Sequence, residues 1–179
     1  MIQRIRQFVR ASRAHVSDEE RRYVEQHLPS EAQPLFFAMD EIDQCHALNV
    51  ARTATELANH LPSGLALDRD LLLRVALLHD AGRRRGDMGI WGKVLAVLAH
   101  HFFPQESRAW ARERRNSRGF CAWLRHVLYV YYHHAAIGAE LLRGIGMERE
   151  ARIVALHHLP QREDDVPELR LLREADERN

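Results

Sequence analysis

An all-α fold, a single-domain helical bundle, is what this sequence predicts, and three observations predict it. Apolar residues recur at helical spacing in segment after segment. Helix start and stop signals bracket those segments. No alternating strand pattern and no internal repeat occurs. At 179 residues with 46% hydrophobic content, the chain fits one domain with a substantial core.

The elements follow in order. Ile2, Ile5, Phe8 and Val9 at helical spacing, punctuated by Arg4, Arg6 and Arg10, predict a docked amphipathic helix rather than a signal peptide. Ser17 and Glu20 make a capping-box signature that opens a helix to about Leu28, before Pro29. Ser30 is the expected cap of the next helix. Leu35 to Met39 then precede a long segment through Leu61, in which Ala47, Leu48, Ala51, Ala54, Leu57 and Ala58 share one face. The loop Pro62-Ser63-Gly64 leads to Asp68, the expected N-cap of the run DLLLRVALLHDAGR from Asp70 to Arg83. Leu71, Leu72, Val75 and Leu78 stripe that helix and Gly82 stops it, which puts His79 and Asp80 in its last turn. A polar loop from Arg83 leads to a helix from Trp91 to about Phe103, stopped by Pro104. Arg108 to Arg118 reads as a solvated helix or loop. Tyr132 to Leu142 form a helix ended by Gly144 and Gly146, and Glu148 to His158 form another, ended by Pro160. The last begins at Val166-Pro167 and reaches Asp176. The expected organisation is a set of N-terminal helices, 1–39, packed on a unit spanning 40–179.

Composition narrows the function. Twenty-six basic against 25 acidic residues leave a net charge of +1, so no global field draws the chain to nucleic acid or membrane. No apolar run approaches the roughly 18 residues of a membrane span. Cys45 and Cys121 make no CxxC, which disfavours a disulfide framework or a cysteine-rich zinc site and suits a reducing cytoplasm. Lys93 is the sole lysine among the basic residues.

Of the twelve histidines, His46, His79, His134 and His157 each sit within or at the end of an apolar helical stripe, the last two in doublets with His133 and His158. Singly, each reads as a core or rim histidine. Four such helices together with Asp80 and the late Asp176 need a shared reason. Neutral imidazole and carboxylate suit divalent iron, manganese, nickel, cobalt or zinc, whereas calcium and magnesium favour oxygen alone.

These residues resemble the HD superfamily of metal-dependent phosphohydrolases, whose pattern is His, then His-Asp, then a final Asp on successive helices. HALNVARTATEL from His46, ALLHDAGR around His79 and Asp80, and LLREAD ending in Asp176 resemble its three motifs. The resemblance implies a helical HD-type domain in which His46, His79, Asp80 and Asp176 hold a first metal. HAAIGAELL from His134 and IVALHHLP around His157 resemble further motifs of dinuclear members. Those include HD enzymes that hydrolyse diadenosine tetraphosphate, in which such histidines hold a second metal bridged by the aspartate. The resemblance therefore implies His134 and His157 as ligands of a second ion, with His158 in reserve. A single-metal centre with His134 and His157 in structural roles stays open.

The chain also departs from that pattern. LPQRED follows the His157-His158 doublet where cyclic-dinucleotide phosphodiesterases carry a Gly-Tyr-Pro signature, which removes most support for that activity. Arg83 stands where many relatives have a lysine, and arginine stays charged at ordinary pH, so it suits phosphate binding and charge stabilisation rather than proton delivery. The implied function is hydrolysis of a phosphate ester or phosphoanhydride of a small phosphorylated substrate, a nucleotide, by metal-activated water. Asp80 and Arg83 are its expected catalytic residues, and Arg83, Arg84, His133 and His158 its expected substrate contacts. A catalytically silent HD-type module that binds a nucleotide or a partner is the alternative. Nucleic-acid binding through Arg108 to Arg125 has local charge but no base-reading motif. Nothing in the sequence indicates an oligomeric state.

Overall fold

The computed structural model of the protein describes residues 15–62, 66–111 and 119–179. The expected N-terminal amphipathic helix, the turn at Gly64 and residues 112–118 of the arginine-rich stretch lie outside the described residues. The fold is all-α. Its helices are α1 (Asp18–His27), α2 (Gln33–Phe37), α3 (Glu41–Asn59), α4 (Arg69–Leu78), α5 (Gly89–Phe102), α6 (Pro104–Trp110), α7 (Phe120–Gly144), α8 (Glu148–Leu156) and α9 (Pro167–Arg178). Among the described residues the only strand-like pairing is a single antiparallel bridge between Met39 and Arg84. None of these helices is long and apolar enough to cross a membrane.

The local signals explain most of the boundaries. Ser17 Oγ accepts the Glu20 amide at 3.2 Å while the Glu20 carboxylate accepts the Ser17 amide at 3.0 Å, so two otherwise unpaired N–H groups are satisfied at the start of α1. Asp68 caps α4 by accepting the Leu71 amide at 2.9 Å. Ser30 does not cap α2: the cap position is Ala32, and the Ser30 hydroxyl donates to Glu31 at 3.1 Å instead. Pro34, whose fixed φ and missing N–H suit a first turn, starts that helix without a side-chain cap. Pro104 likewise both ends α5 and opens α6.

Three helices differ from expectation in extent. α7 runs for 25 residues and absorbs the stretch from Phe120 to Tyr132. Arg125 and His126, which interrupt that stretch in sequence, pair outside the core, Arg125 over the Trp110 ring and His126 with Asp87. α4 and α8 stop earlier than expected, with His79 and His157 as their C-cap residues. Asp80 and His158 therefore lie in the turns just beyond, not in the last helical turn.

A large cluster and a small one make up the interior. Val24, Phe36, Leu48, Leu72, Leu78, Leu142, Val154 and Leu172 belong to the large one, drawn from α1 to α4 and from α7 to α9. Met88, Ala96, Val127, Leu128 and Val130 form the small one, between α5 and the first half of α7. α7 thus spans both, and His134 falls between its two buried stretches. Burial of Leu71, Leu72, Leu77 and Leu78 contributes on the order of 1.5–3 kcal/mol per side chain, before chain entropy is counted against it, so α4 is held by its leucines.

Glycine matters at two places. Gly146, at φ 80°, follows the α7 cap, and the amides of Gly146 and Met147 return to the carbonyls of Arg143 and Leu142 at 3.0 and 2.9 Å, which turns α7 back into α8. Gly82, in the turn after His79 and Asp80, lies so close to α7 that a Cβ there would meet the His134 carbonyl oxygen at 2.0 Å and the Gly138 nitrogen at 2.8 Å. A Cβ on Gly138 would in turn stand 3.2 Å from the Gly82 nitrogen. The spacing His134-x-x-x-Gly138 is therefore a packing requirement, one bare helical turn against which the Asp80 turn lies flat.

Gly82→Ala should lower stability by ~1–3 kcal/mol in urea denaturation, because backbone on both sides must move. Gly144→Ala, where nothing lies within 4 Å of the added carbon, should leave stability unchanged or raise it by up to ~1 kcal/mol.

Candidate metal centre

Five elements deliver one cluster of side chains. His46 projects from α3, His79 and Asp80 from the end of α4, His134 from the middle of α7, His157 and His158 from the end of α8, and Asp176 from α9. His46 Nε2 lies 2.9 Å from Asp176 Oδ1 although 130 positions separate them in the chain. His79 Nε2 lies 3.7 Å from the same Asp176 oxygen and 3.6 Å from Asp80 Oδ2. On the other side His134 Nε2 stands 3.3 Å from Asp80 Oδ1 and 2.8 Å from His158 Nε2. The His157 ring sits 5.4 Å from the His79 ring and 3.9 Å from the His158 ring, centre to centre.

The backbone sets which ring nitrogen faces inward. Nδ1 of His79, His134 and His157 each donates to the carbonyl three residues earlier, Ala76 at 2.9 Å, Tyr131 at 2.9 Å and Val154 at 2.6 Å. With a proton held at Nδ1, each of these rings aims its Nε2 into the cluster. Three of the inward atoms are buried without any hydrogen-bond partner: His79 Nε2, His157 Nε2 and Asp80 Oδ1. Orphaned buried acceptors cost about 1–3 kcal/mol each, so three in one cluster call for cationic partners. Two overlapping groups have ligand atoms within 4.8 Å of one another: His46, His79 and Asp80, and Asp80, His134, His157 and His158. Asp80 belongs to both, and Asp176 adjoins the first. The donor set, imidazole with carboxylate, fits a divalent transition metal.

Electrostatics favour neutral His134, His157 and His158 beside ionised carboxylates. Burial, with Arg83 nearby, pushes His134 well below the usual histidine range. Burial likewise brings His157 down to about 3, with His79 and His158 adding to it, and lowers His158. Burial opposes ionisation of Asp80 and Asp176 too. The charge of Arg83 overcomes it for Asp80, and the His46 hydrogen bond overcomes it for Asp176, so both carboxyls stay well below their ordinary values. His46 is the exception: burial works against its charged form, but the Asp176 hydrogen bond and the Asp80 charge outweigh it and raise its pKa.

The expected substrate contacts fall in different places. Arg83 lies inside the cluster, donating to Asp80 Oδ2 at 2.7 Å and to His134 Nε2 at 3.1 Å. Arg84 is exposed, with its backbone in the bridge to Met39. His133 stacks on Tyr129, one turn earlier on α7, and is not part of the cluster among the described residues. His158 stands at the edge of the cluster, exposed on its outer side while its Nε2 turns inward against His134. Beside it opens a cleft of about 950 Å³ lined by His157, His158, Asp176, Arg170 and Arg173.

Two features of this region are not singled out by sequence reading. Arg173 donates to the carbonyls of Leu156 at 2.9 Å and His157 at 3.3 Å and pairs with Asp165 at 2.5 Å, so it caps the end of α8 and fixes the turn that carries His157 and His158. Its signal was its place three residues before Asp176, on the same helical face. Lys93 forms a buried ion pair with Asp43 at 2.6 Å, and Asp43 lies one turn before His46. There the signal was the lone lysine of an arginine-rich chain.

A family model described as HD domain matches residues 44–117. The match supports the HD-domain superfamily. It covers the His46 and His79-Asp80 motifs of the HD domain and ends before His134, His157 and Asp176. No curated protein and no solved structure matches the chain. HD domains bind divalent metals, and the His/Asp groups gathered here could hold one.

The lowered histidine values have a sign. His134, His157 and His158 take up protons less readily folded than unfolded, so stability is full above about pH 6.5 and falls as pH drops toward about 3, the value for His157. His46 acts oppositely: its raised value adds stability below about pH 6.5 that is lost as pH rises through the folded value. The carboxylate contributions are lost only below about pH 4. Urea denaturation of chelator-treated protein should therefore give lower stability at pH 5.5 than at pH 7. His157→Gln should flatten that dependence by up to ~1.4 kcal/mol per pH unit.

Proposed function

We propose that the protein is a metal-dependent phosphohydrolase that cleaves a phosphate ester or phosphoanhydride, with a nucleotide as substrate. The observation that carries this reading is that His79 Nε2, His157 Nε2 and Asp80 Oδ1 are buried without a partner within two groups of ligand atoms that share Asp80. His46, His79, Asp80 and Asp176 are the proposed holders of one divalent ion, and Asp80, His134 and His157 of a second, with iron, manganese, nickel, cobalt or zinc suited to both. The proposed likeness, carried by the motifs around His134 and His157, is to HD hydrolases of diadenosine tetraphosphate. Residues 40–179 form the proposed hydrolase unit, with 1–39 as its N-terminal helices.

Bound there, a divalent ion supplies a Lewis acid for the phosphoryl oxygen and lowers the pKa of a water. The chain's own residues do the rest. Asp80, ionised by its cationic surroundings, supplies one carboxylate oxygen toward each histidine group. The Nδ1 contacts of His79, His134 and His157 keep the rings oriented before any ligand arrives. The cleft beside Asp176 and His158 accepts the substrate, and Arg83, always charged and in contact with Asp80 and His134, stabilises phosphate oxygens that reach the cluster. His158, lowered by burial, is neutral near pH 7, which suits it to a hydrogen bond with the substrate rather than to storing a proton.

A catalytically silent nucleotide-binding module is the second reading. The observation in its favour is the grip of Arg83 on Asp80, which already neutralises the central carboxylate. Turnover discriminates the two. With manganese, iron or nickel supplied, the intact protein should hydrolyse at least one member of a panel of nucleoside mono- and triphosphates, dinucleoside polyphosphates and guanosine tetraphosphate. Asp80→Asn should reduce that turnover by ~10²-fold or more with an unchanged helical circular dichroism spectrum. Bound metal without turnover of any member would leave the silent module standing.

His134→Ala should lower metal content, read by elemental analysis, from about two ions per chain toward one. An unchanged content and activity would reduce the centre to a single ion.

A further inference from the structure

The position of Arg83 bears on how the two halves of the centre fill. Its guanidinium donates to Asp80 Oδ2 at 2.7 Å and to His134 Nε2 at 3.1 Å. Because the His134 ring carries its proton at Nδ1, bonded to the Tyr131 carbonyl, Nε2 has one in-plane lone pair. A carboxylate oxygen has two lone pairs and can keep an arginine while binding an ion. An imidazole nitrogen cannot. The lone pair that His134 would offer a metal now faces the Arg83 N–H at 3.1 Å and His158 Nε2 at 2.8 Å; His158 can itself turn a lone pair to an ion, whereas Arg83, which only donates, cannot.

We propose that Arg83 and the ion on the His134 side are mutually exclusive occupants of His134 Nε2, so that the chain carries its own cation for that half of the centre and the second ion enters only as Arg83 lets go. This rests on the dinuclear reading above. In the half formed by His46, His79 and Asp176 the hydrogen bond at 2.9 Å joins His46 Nε2 to Asp176 Oδ1, two groups that would both hold the ion, and the Arg83 hydrogen bonds run instead to Asp80 and His134. The two halves therefore fill unequally, the His46 half first. Arg83 is built for release as much as for hold. Its Nε is buried with no partner, so the bound pose leaves one donor unsatisfied, and its side chain keeps 19% of its surface exposed, a route toward solvent. Once displaced, its charge becomes available to a phosphate arriving at the same place, which couples filling of the second half to substrate binding.

The test is calorimetric titration of the full-length, chelator-treated protein with manganese, comparing wild type, Arg83→Gln, Arg83→Met and Arg84→Ala. Wild type should bind one ion tightly and a second about tenfold or more weakly. In both Arg83 variants the weak step should tighten by about tenfold or more while the tight step is unchanged. Arg84→Ala removes an equal charge from an exposed site with no hold on His134, and should leave both steps as in wild type. Two ions bound with unaltered affinities in the Arg83 variants would overturn the competition and leave the dinuclear centre intact. One ion in every protein would overturn both. An equal gain in Arg84→Ala would reduce the effect to general charge and overturn the competition. A readout on wild type alone covers the case in which the variants misfold: the Arg83 Nε–H resonance should be unmoved by the first equivalent of zinc and shift with the second. A shift complete at the first equivalent contradicts the proposal.

Discussion

The contact between the Gly82 turn and the His134–Gly138 turn of α7 is the constraint on which the rest of the centre depends. Two stretches of backbone meet there with no side chain between them. That approach sets the depth of Asp80 against α7 and hence the 3.3 Å separation of its Oδ1 from His134 Nε2. It also explains why both motifs carry a glycine at a fixed offset from a functional residue, Gly82 two positions after Asp80 and Gly138 four after His134. A methyl group at Gly82 would force the two halves of the centre apart before it affected any ligand directly.

Around that contact the fold uses backbone carbonyls to prepare the rings. Three histidines at or near helix ends, or within a long helix, donate Nδ1–H to the carbonyl three residues back. The same short loop of hydrogen bonding thus sets tautomer and direction at once. Carboxylates and a buried arginine then balance the charge. The interior is left with more acceptors than donors along the line from His157 through His79 to Asp80, and that surplus is what a cation relieves.

Much of this was legible in the sequence. The helical class, the capping box at Ser17, the cap at Asp68, the Pro167 start of α9 and the placement of His46, His79, Asp80, His134, His157 and Asp176 on successive helices could be read from spacing, caps and motif resemblance. What could not be read is set by tertiary packing. The helices carrying His79 and His157 end one residue before them, because the turns that follow serve the contacts with α7 and Arg173 rather than the apolar period. Ser30 has the right chemistry for a cap, but Pro34 three positions later decides where α2 starts. Arg83 looked like a loop residue open to substrate, and its position between Asp80 and His134 follows from a turn direction that no spacing encodes. Arg173 and the Asp43–Lys93 pair each lie one helical turn from a site residue, so the face was readable, but the partners were not.

The central claim is that the imidazole and carboxylate groups gathered from five helices, three of their atoms buried without a partner, are there to hold divalent metal. Crystals soaked in manganese and measured at a wavelength where manganese scatters anomalously test it most directly. The account predicts an anomalous peak bounded by His46, His79, Asp80 and Asp176, within bonding distance of His79 Nε2. A crystal saturated with manganese that shows no peak inside this cluster, or shows peaks only at surface carboxylates, would contradict it.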